Sequence, residues 1–235
     1  MIERIYEEQD FSALPEHGIE AQKIRALWLA YGGAWDFCRF FRQGSSYIAA
    51  LDGSFVLCSG VDFDAAELSG FFLACGYSEI ICSLSACQAL NVYLKANFQI
   101  VNVMACNGGS RKDELPPDVQ PGEIWSIIEK RFSPAFEPWY LDMSHRVRHG
   151  VTRCYSNGKS ALVLQHDING EALISQVCVL PEEEGKGFPS MLLKKVCGGL
   201  DSDIFVICED DLCGFYEKNG FIKNAELAVF TRKIH

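Results

Sequence analysis

The sequence is poor in the groups that hold a metal. Its five histidines (His17, His145, His149, His166, His235) are scattered and it has no Cys-x-x-Cys pair, so no zinc or other metal site is expected. It also has no run of about 18 apolar residues, the length a membrane span needs. The opening decapeptide MIERIYEEQD is acidic where a secretory leader is basic and then apolar, so the expectation is a cytoplasmic chain with no membrane partner. Positive charge is the third shortage. Lys plus Arg number 21 against 31 Asp plus Glu, a net charge of −10, which repels a phosphate backbone. Nucleic acid is therefore excluded as the expected partner, and a cationic amine is favoured at long range. Cysteine is abundant, at eleven, but the number is odd and Cys82, Cys178 and Cys208 lie inside apolar runs, so these read as reduced core thiols. A hydrophobic content of 49% over 235 residues suffices for one large domain or two small ones.

The strongest break is NGGSRKDELPPDVQPG, residues 107–122, polar and rich in turn formers with no hydrophobic period. It divides the chain into a first domain at 1–106, a linker at 107–121 and a second domain at 122–235. In the second, GEIWSIIEKRF and PWYLDMSHRVRHG read as helices. TRCYS, ALVLQHDI and ALISQVCVL, separated by the turns NGK and NG, read as a three-strand meander. Apolar residues Phe188, Met191, Leu192 and Val196 then recur at helical spacing, with Pro189 suited to a first turn. DIFVIC reads as a buried strand, Asp211–Asn219 as a short helix capped by Asp210 or Asp211 and stopped at Gly220, and FIKNAELAVFTRK as a long strand or strand pair. The first domain repeats this order from SYIAAL to QIVNVMAC, and YLKANF (93–98) matches YEKNGF (216–221) at the same point. This is either a degenerate internal duplication or two unrelated α/β halves sharing a short phrase. Before the repeat, ALWLAYGGAWDFCRFF faces a partner or covers the core.

The stretch PEEEGKGFPSMLLKKV, residues 181–196, places a glycine turn between strand and helix. Such a turn leaves several backbone N–H groups aimed at one point, at the positive end of the helix dipole, and suits a diphosphate. Gly185 and Gly187 let the backbone approach a ligand. A lone Gly-x-Gly also makes a plain strand-to-helix turn, so the surrounding order has to separate the two readings.

VCVLPEEEGKGFPSMLLKKV followed by DIFVICEDDLCGFYEKNGF resembles the GNAT superfamily of acetyl-CoA-dependent N-acetyltransferases. In that family a Val-x-Val-x-Pro strand end leads into an Arg/Gln-x-x-Gly-x-Gly/Ala loop for the coenzyme A pyrophosphate, and FYEKxGF marks a later helix beside the thioester. The resemblance spans about residues 122–235, with the first domain as a degraded copy. It implies an α/β fold of the α+β mixed-sheet kind, the GNAT acyl-CoA N-acyltransferase fold, in tandem.

The same resemblance implies that Val177, Cys178 and Val179 pair with the pantetheine arm, with a backbone N–H near Val179 polarising the acetyl carbonyl. Glu184, Gly185, Lys186, Gly187, Phe188, Pro189 and Ser190 then form the cofactor loop. Tyr216 gives a proton to the departing thiolate, or else packs under the sheet as an ordinary helix residue. The family's Arg or Gln falls on Glu184 and its last Gly or Ala on Pro189. Glu184 brings negative charge towards a diphosphate, and Pro189 removes one N–H, a lost hydrogen bond to a charged group costing roughly 1.5–3 kcal/mol. Lys186 compensates if it turns inward. Two readings stand: a working loop with Glu184 turned to solvent, and a copy losing its hold on coenzyme A. Where many members have an Asn before the later helix, this chain has Glu209, Asp210 and Asp211.

The implied reaction is transfer of an acetyl group from acetyl-CoA, as co-substrate, to a primary amine on a small molecule, by direct attack. Glu183 and His166 are the candidate bases, with Asp167, Glu171 and Glu182 nearby; His166 alternates with Leu164 and Ile168 and is buried packing or an exposed strand residue. Cys178, a strand cysteine without a matched histidine, reads as inert. HRVRH (145–149) reads as a phosphate patch or as a solvated helix face. Two other classes remain: a non-catalytic acyl-CoA-binding or interaction protein, and a Fem-type aminoacyl transferase, which the charge of −10 disfavours.

Overall fold

The structure is a computed structural model and describes residues 1–108 and 113–232; the stretch 109–112 of the expected linker lies outside the described residues. The chain forms two compact units. Unit 1 comprises Met1–Asn102 and the returning segment Ala225–His235, and unit 2 comprises Val103–Asn224.

Unit 1 opens with β1 (Glu3–Ile5), a 3-10 turn (Glu8–Phe11) and α1 (Ile19–Tyr31). Strands β2 (Cys38–Gln43), β3 (Ser46–Leu51) and β4 (Ser54–Cys58) follow, then α2 (Ala65–Cys75), β5 (Glu79–Ser83), α3 (Leu84–Leu94) and β6 (Phe98–Asn107), whose last residues belong to unit 2. The strands β1 to β4 pair antiparallel in sequence order, and β4 pairs parallel with β5 through the α2 crossover. The Asp52-Gly53 turn that closes β3 on β4 holds both residues at positive φ, as the right-handed strand twist asks of a two-residue hairpin. The α2 helix starts at Asp64, whose Oδ1 accepts the Ala66 and Glu67 N–H groups. Its inner face, Leu68 and Phe72, packs with Phe55, Leu57, Ile80 and Leu90. The apolar stretch 26–41 covers this unit's own interior: Leu27, Ala30 and Tyr31 from α1 and Cys38, Phe40 and Phe41 from β2 are all buried.

In unit 2, α4 (Pro121–Phe132) and α5 (Phe136–Arg148) precede β7 (Arg153–Ser156), β8 (Ser160–Ile168) and β9 (Glu171–Val179). After a 3-10 turn (Pro181–Glu183) come α6 (Phe188–Gly199), β10 (Asp203–Cys208), α7 (Asp210–Lys218) and β11 (Ile222–Thr231), a single strand whose second half lies in unit 1. The meander β7–β8–β9 is antiparallel, and β9 pairs parallel with β10 through the α6 crossover. Element by element, β2-β3-β4-α2-β5-α3-β6 is repeated as β7-β8-β9-α6-β10-α7-β11. In both units the parallel crossover pair has four partnered residues, Ser54–Leu57 with Glu79–Cys82 and Glu171–Ile174 with Asp203–Val206. The duplication is therefore carried by topology and register, beyond the shared phrase.

One local expectation is corrected. Neither Asp210 nor Asp211 caps α7: Glu209 occupies the cap position, its side chain making no capping bond, and both aspartates lie inside the first turn. There their charge complements the helix dipole. Among the described residues no helix is long and apolar enough to cross a membrane, and no group of three or more His, Cys, Asp or Glu is placed to hold a metal ion.

Candidate functional site

The feature that separates unit 2 from unit 1 is the length of its crossover strand. In unit 1, β4 ends one residue after its last parallel partner, Leu57. In unit 2, the ladder with β10 ends at Ile174, yet β9 runs on through Ser175–Val179. On the β10 side this stretch has no ladder partner, while on the other side Ser175, Cys178 and Val179 still pair with β8. A strand stretch with one open edge offers peptide groups to an extended, amide-bearing ligand.

The open stretch begins with a bulge. Two steps along β8, from Val163 to Ala161, match three along β9, from Ser175 to Cys178. The extra residue changes the aim of the following peptide groups. Gln176 sits at φ +50°, uncommon outside glycine. Its Oε1 accepts a hydrogen bond from Trp139 Nε1 of α5 at 3.3 Å, which ties the bulge to the helical layer. Of the three strand residues, Val177 packs into the core beneath β10 and α6, Cys178 is buried on the opposite face against α4 and α5, and Val179 is part-exposed. Burial pushes the Cys178 thiol up to about 12, so it stays a thiol at neutral pH.

After the strand, residues 184–187 form an exposed loop with Gly185 at φ +75° and Gly187 at φ +80°. Both values require glycine for comfort. The first helical bond of α6 runs from Met191 N to Gly187 O. Among the described residues the N–H groups of Gly185, Gly187, Phe188 and Ser190 have no acceptor, and Pro189 has no N–H to give. Four amide donors therefore remain at the positive end of α6.

The loop is braced from three directions. Glu183 accepts Lys186 Nζ at 2.8 Å and Lys159 Nζ at 3.2 Å. Asn157 Nδ2 donates to Phe188 O at 3.3 Å, and Leu180 N donates to Lys159 O at 3.0 Å. Asn219 Nδ2, from the YEKNGF phrase, donates to Ser190 Oγ at 3.1 Å and to Phe215 O at 2.8 Å, joining the start of α6 to the end of α7. Lys186 thus points at Glu183, and Glu184 is exposed, its carboxylate in no ion pair among the described residues. The Lys186 hydrogen bond and then that of Lys159 hold the Glu183 carboxyl below its ordinary value of 4.5. Because the folded value is the lower one, the bracing is present above pH 4.5 and is lost as pH falls through the depressed value. In a carboxyl-carbon NMR titration, Glu183 is expected to have its midpoint below 4.5, moving upward in Lys186→Met and in Lys159→Met.

Tyr216 lies on α7, buried with Cys208, Ile174, Leu192 and Leu193, its ring 5.6 Å from Phe221. Burial, and secondarily the Cys208 sulfur, raise its phenol above the ordinary 10. Among the described residues the hydroxyl makes no hydrogen bond, and the phenol stays protonated at neutral pH. His166 is buried and pairs across to Leu173, five residues before Cys178, a separation of about 16 Å at a strand rise of ~3.3 Å. The structure thus gathers Val177–Val179, the 183–190 loop and Tyr216 at the C-terminal ends of β9 and β10, and leaves His166 at the far end of the β8–β9 ladder. In HRVRH, Arg146 pairs with Asp142 at 2.8 Å, and the His145 and His149 rings lie 4.2 Å apart on the helix surface.

No protein-family model matches the chain, and no curated protein does. Solved structures do. A GNAT-family acetyltransferase from Colwellia psychrerythraea has a TM-score of 0.54 at 11% identity, over 99% of this chain and 100% of that one. A GCN5-related N-acetyltransferase from Kribbella flavida has 0.58 at 15% identity, over 93% and 97%. A tandem GNAT protein from the clavulanic acid biosynthesis pathway has 0.54 at 11% identity, over 99% and 98%. The fold is a tandem GNAT fold.

Within that tandem fold the two units differ at the helix start. In unit 1 the Asp64 carboxylate already occupies the N-terminus of α2. In unit 2 the N-terminus of α6 has Gly187 at its cap and no side chain in that place. Of the two crossover helices, α6 leaves its dipole open to an external anion and α2 does not.

Proposed function

We propose that the chain is an N-acetyltransferase that moves an acetyl group from acetyl-CoA to a primary amine by direct attack, with its site in unit 2. The observation that carries this reading is the open edge of β9 at Ser175–Val179 running into four unpartnered amides at the start of α6. Its support from the comparisons is the fold.

The residues present fit acetyl-CoA. The Gly185, Gly187, Phe188 and Ser190 amides suit the diphosphate, and the β9 edge at Val177–Val179 suits the amide-bearing pantetheine arm. Acetyl-CoA supplies a thioester, whose transfer requires a polarised carbonyl, a neutral amine and a proton for the departing thiolate. A backbone N–H near Val179 serves the carbonyl, and Tyr216 holds the proton. Glu183 acts as a brace for the loop, since both its oxygens face lysine ammonium groups. The net charge of −10 favours a cationic small-molecule amine as acceptor and disfavours nucleic acid.

Glu184 and Pro189 support the competing reading, a non-catalytic acyl-CoA-fold protein. Calorimetric titration with acetyl-CoA separates the two. The native chain is expected to bind saturably, and Glu184→Arg is expected to bind about tenfold more tightly. An arginine in place of the carboxylate adds a charge-assisted bond of roughly 1.5–3 kcal/mol, and 1.4 kcal/mol is tenfold. Binding by the arginine variant alone, with none by the native chain, refutes the enzyme.

A further inference from the structure

Both halves of the tandem carry a Cys-x4-Cys spacing at the same place: CSLSAC at 82–87 and CEDDLC at 208–213. In each, the first cysteine lies two residues before the helix and the second is the fourth residue of that helix, α3 or α7. The two thiols of each pair touch. Cys208 Sγ and Cys213 Sγ are 3.9 Å apart, and Cys82 and Cys87 share a hydrogen bond. The pairs differ in access: Cys82 and Cys87 are sealed in the unit 1 core, whereas Cys213 is part-exposed and Cys208 lies just behind it.

We propose that Cys208 and Cys213 form a reversible dithiol/disulfide pair, oxidised by peroxides, that sets the position of the α7 helix. Cys213 meets the oxidant first, being the outer thiol. Its sulfur, as thiolate, displaces hydroxide from hydrogen peroxide and becomes a sulfenic acid. The Cys208 sulfur then attacks that sulfur, the S–S bond forms, and the second oxygen leaves as water. Two thiols and one peroxide give one disulfide and two waters, and excess small-molecule thiol reverses the change. Burial, and then the Cys213 neighbour, push the Cys208 thiol up to about 12, so Cys208 is not the thiol that meets peroxide first; its place 3.9 Å from Cys213 makes it the resolving thiol, giving up its proton as it attacks. Closing from 3.9 Å to a bond of about 2.05 Å moves the sulfurs together by about 2 Å. Cys213 and Tyr216 are three residues apart on one helix face, and Tyr216 packs beside Cys208, so the closure draws on the face that holds the phenol. That the closure regulates transfer rests on the acetyltransferase reading.

The full chain is treated with hydrogen peroxide, its remaining thiols are alkylated with iodoacetamide in denaturant, and the tryptic segment 196–218 is weighed. With Cys106→Ser as background, which removes the thiol that hydrogen-bonds Cys197, the expected product has Cys197 alkylated and the segment lighter by two hydrogens than the same singly alkylated segment with Cys208 and Cys213 as free thiols. Dithiothreitol restores two alkylatable thiols, and Cys213→Ser leaves Cys208 alkylated throughout. Full alkylation of Cys208 after peroxide, or a linkage that survives in Cys213→Ser, overturns the pair. In the second arm, acetyl transfer by the oxidised chain is expected to fall at least about tenfold and to recover with dithiothreitol. A disulfide with unchanged transfer overturns the regulatory part. Absence of transfer in the reduced chain would count against the acetyltransferase reading and leave the disulfide result intact.

Discussion

Tyr216→Phe is expected to lower kcat for acetyl transfer by about 10²–10⁴-fold, the range that a positioned proton donor contributes, while the affinity for acetyl-CoA changes little. The reason lies in where the ring sits. Burial and the Cys208 sulfur keep the phenol protonated well past neutral pH, and among the described residues its hydroxyl has no hydrogen bond to lose. Removing one oxygen therefore orphans no buried group, and the ring contacts with Phe215 and Phe221 remain. Steady-state kinetics with saturating amine, beside calorimetry on the same variant, test this. An unchanged kcat would reduce Tyr216 to a packing residue of α7. A loss of binding together with rate would point to a disturbed helix instead.

The parts of this site that were legible in the sequence are those with local signals. The 184–187 turn declared itself by two glycines, α6 by its helical apolar spacing and Pro189, and the β8–β9 hairpin by Asn169-Gly170, whose positive φ values the turn type demands. What stayed hidden was non-local or without chemical signature. The bulge at Gln176 uses no glycine or proline, and its partner Trp139 lies 37 residues away. The Lys159–Glu183 pair joins a hairpin turn to a loop 24 residues on, so the NGK turn read only as a turn. The cap of α7 went to Glu209 although aspartate is the better capping residue, because the strand β10 runs to Cys208 and leaves one residue before the helix. His166 alternates as a strand residue should, but alternation alone does not say which end of a nine-residue strand meets the ligand.

The largest stability effect is expected from a residue near the chain's end that belongs to the interior of its beginning. Phe230→Ala should cost about 3–5 kcal/mol, the usual loss for truncating a buried phenylalanine. Phe230 is fully buried in the unit 1 core, where its ring is 5.6 Å from that of Phe98. Its strand residues Leu227–Thr231 pair antiparallel with Ser83–Glu79 of β5, which is thereby hydrogen-bonded on both sides, to β4 and to β11. The polar stretch 107–121 marks a division by composition, but unit 1 takes its last strand from beyond Asn224. A chain ended at Asn224 would leave the β5 edge unpaired, with Ile80 and Cys82 stripped of Ala228 and Phe230. Urea unfolding followed by the fluorescence of Trp28, whose ring lies 5.1 Å from that of Phe40 in unit 1, in a background with Trp35, Trp125 and Trp139 replaced by Phe, reads this loss. A midpoint unchanged in Phe230→Ala would mean that the first unit holds together without its final strand. The expected drop, by contrast, makes the second half of β11 a structural member of unit 1, so that the first repeat completes its fold only when the last residues of the chain are in place.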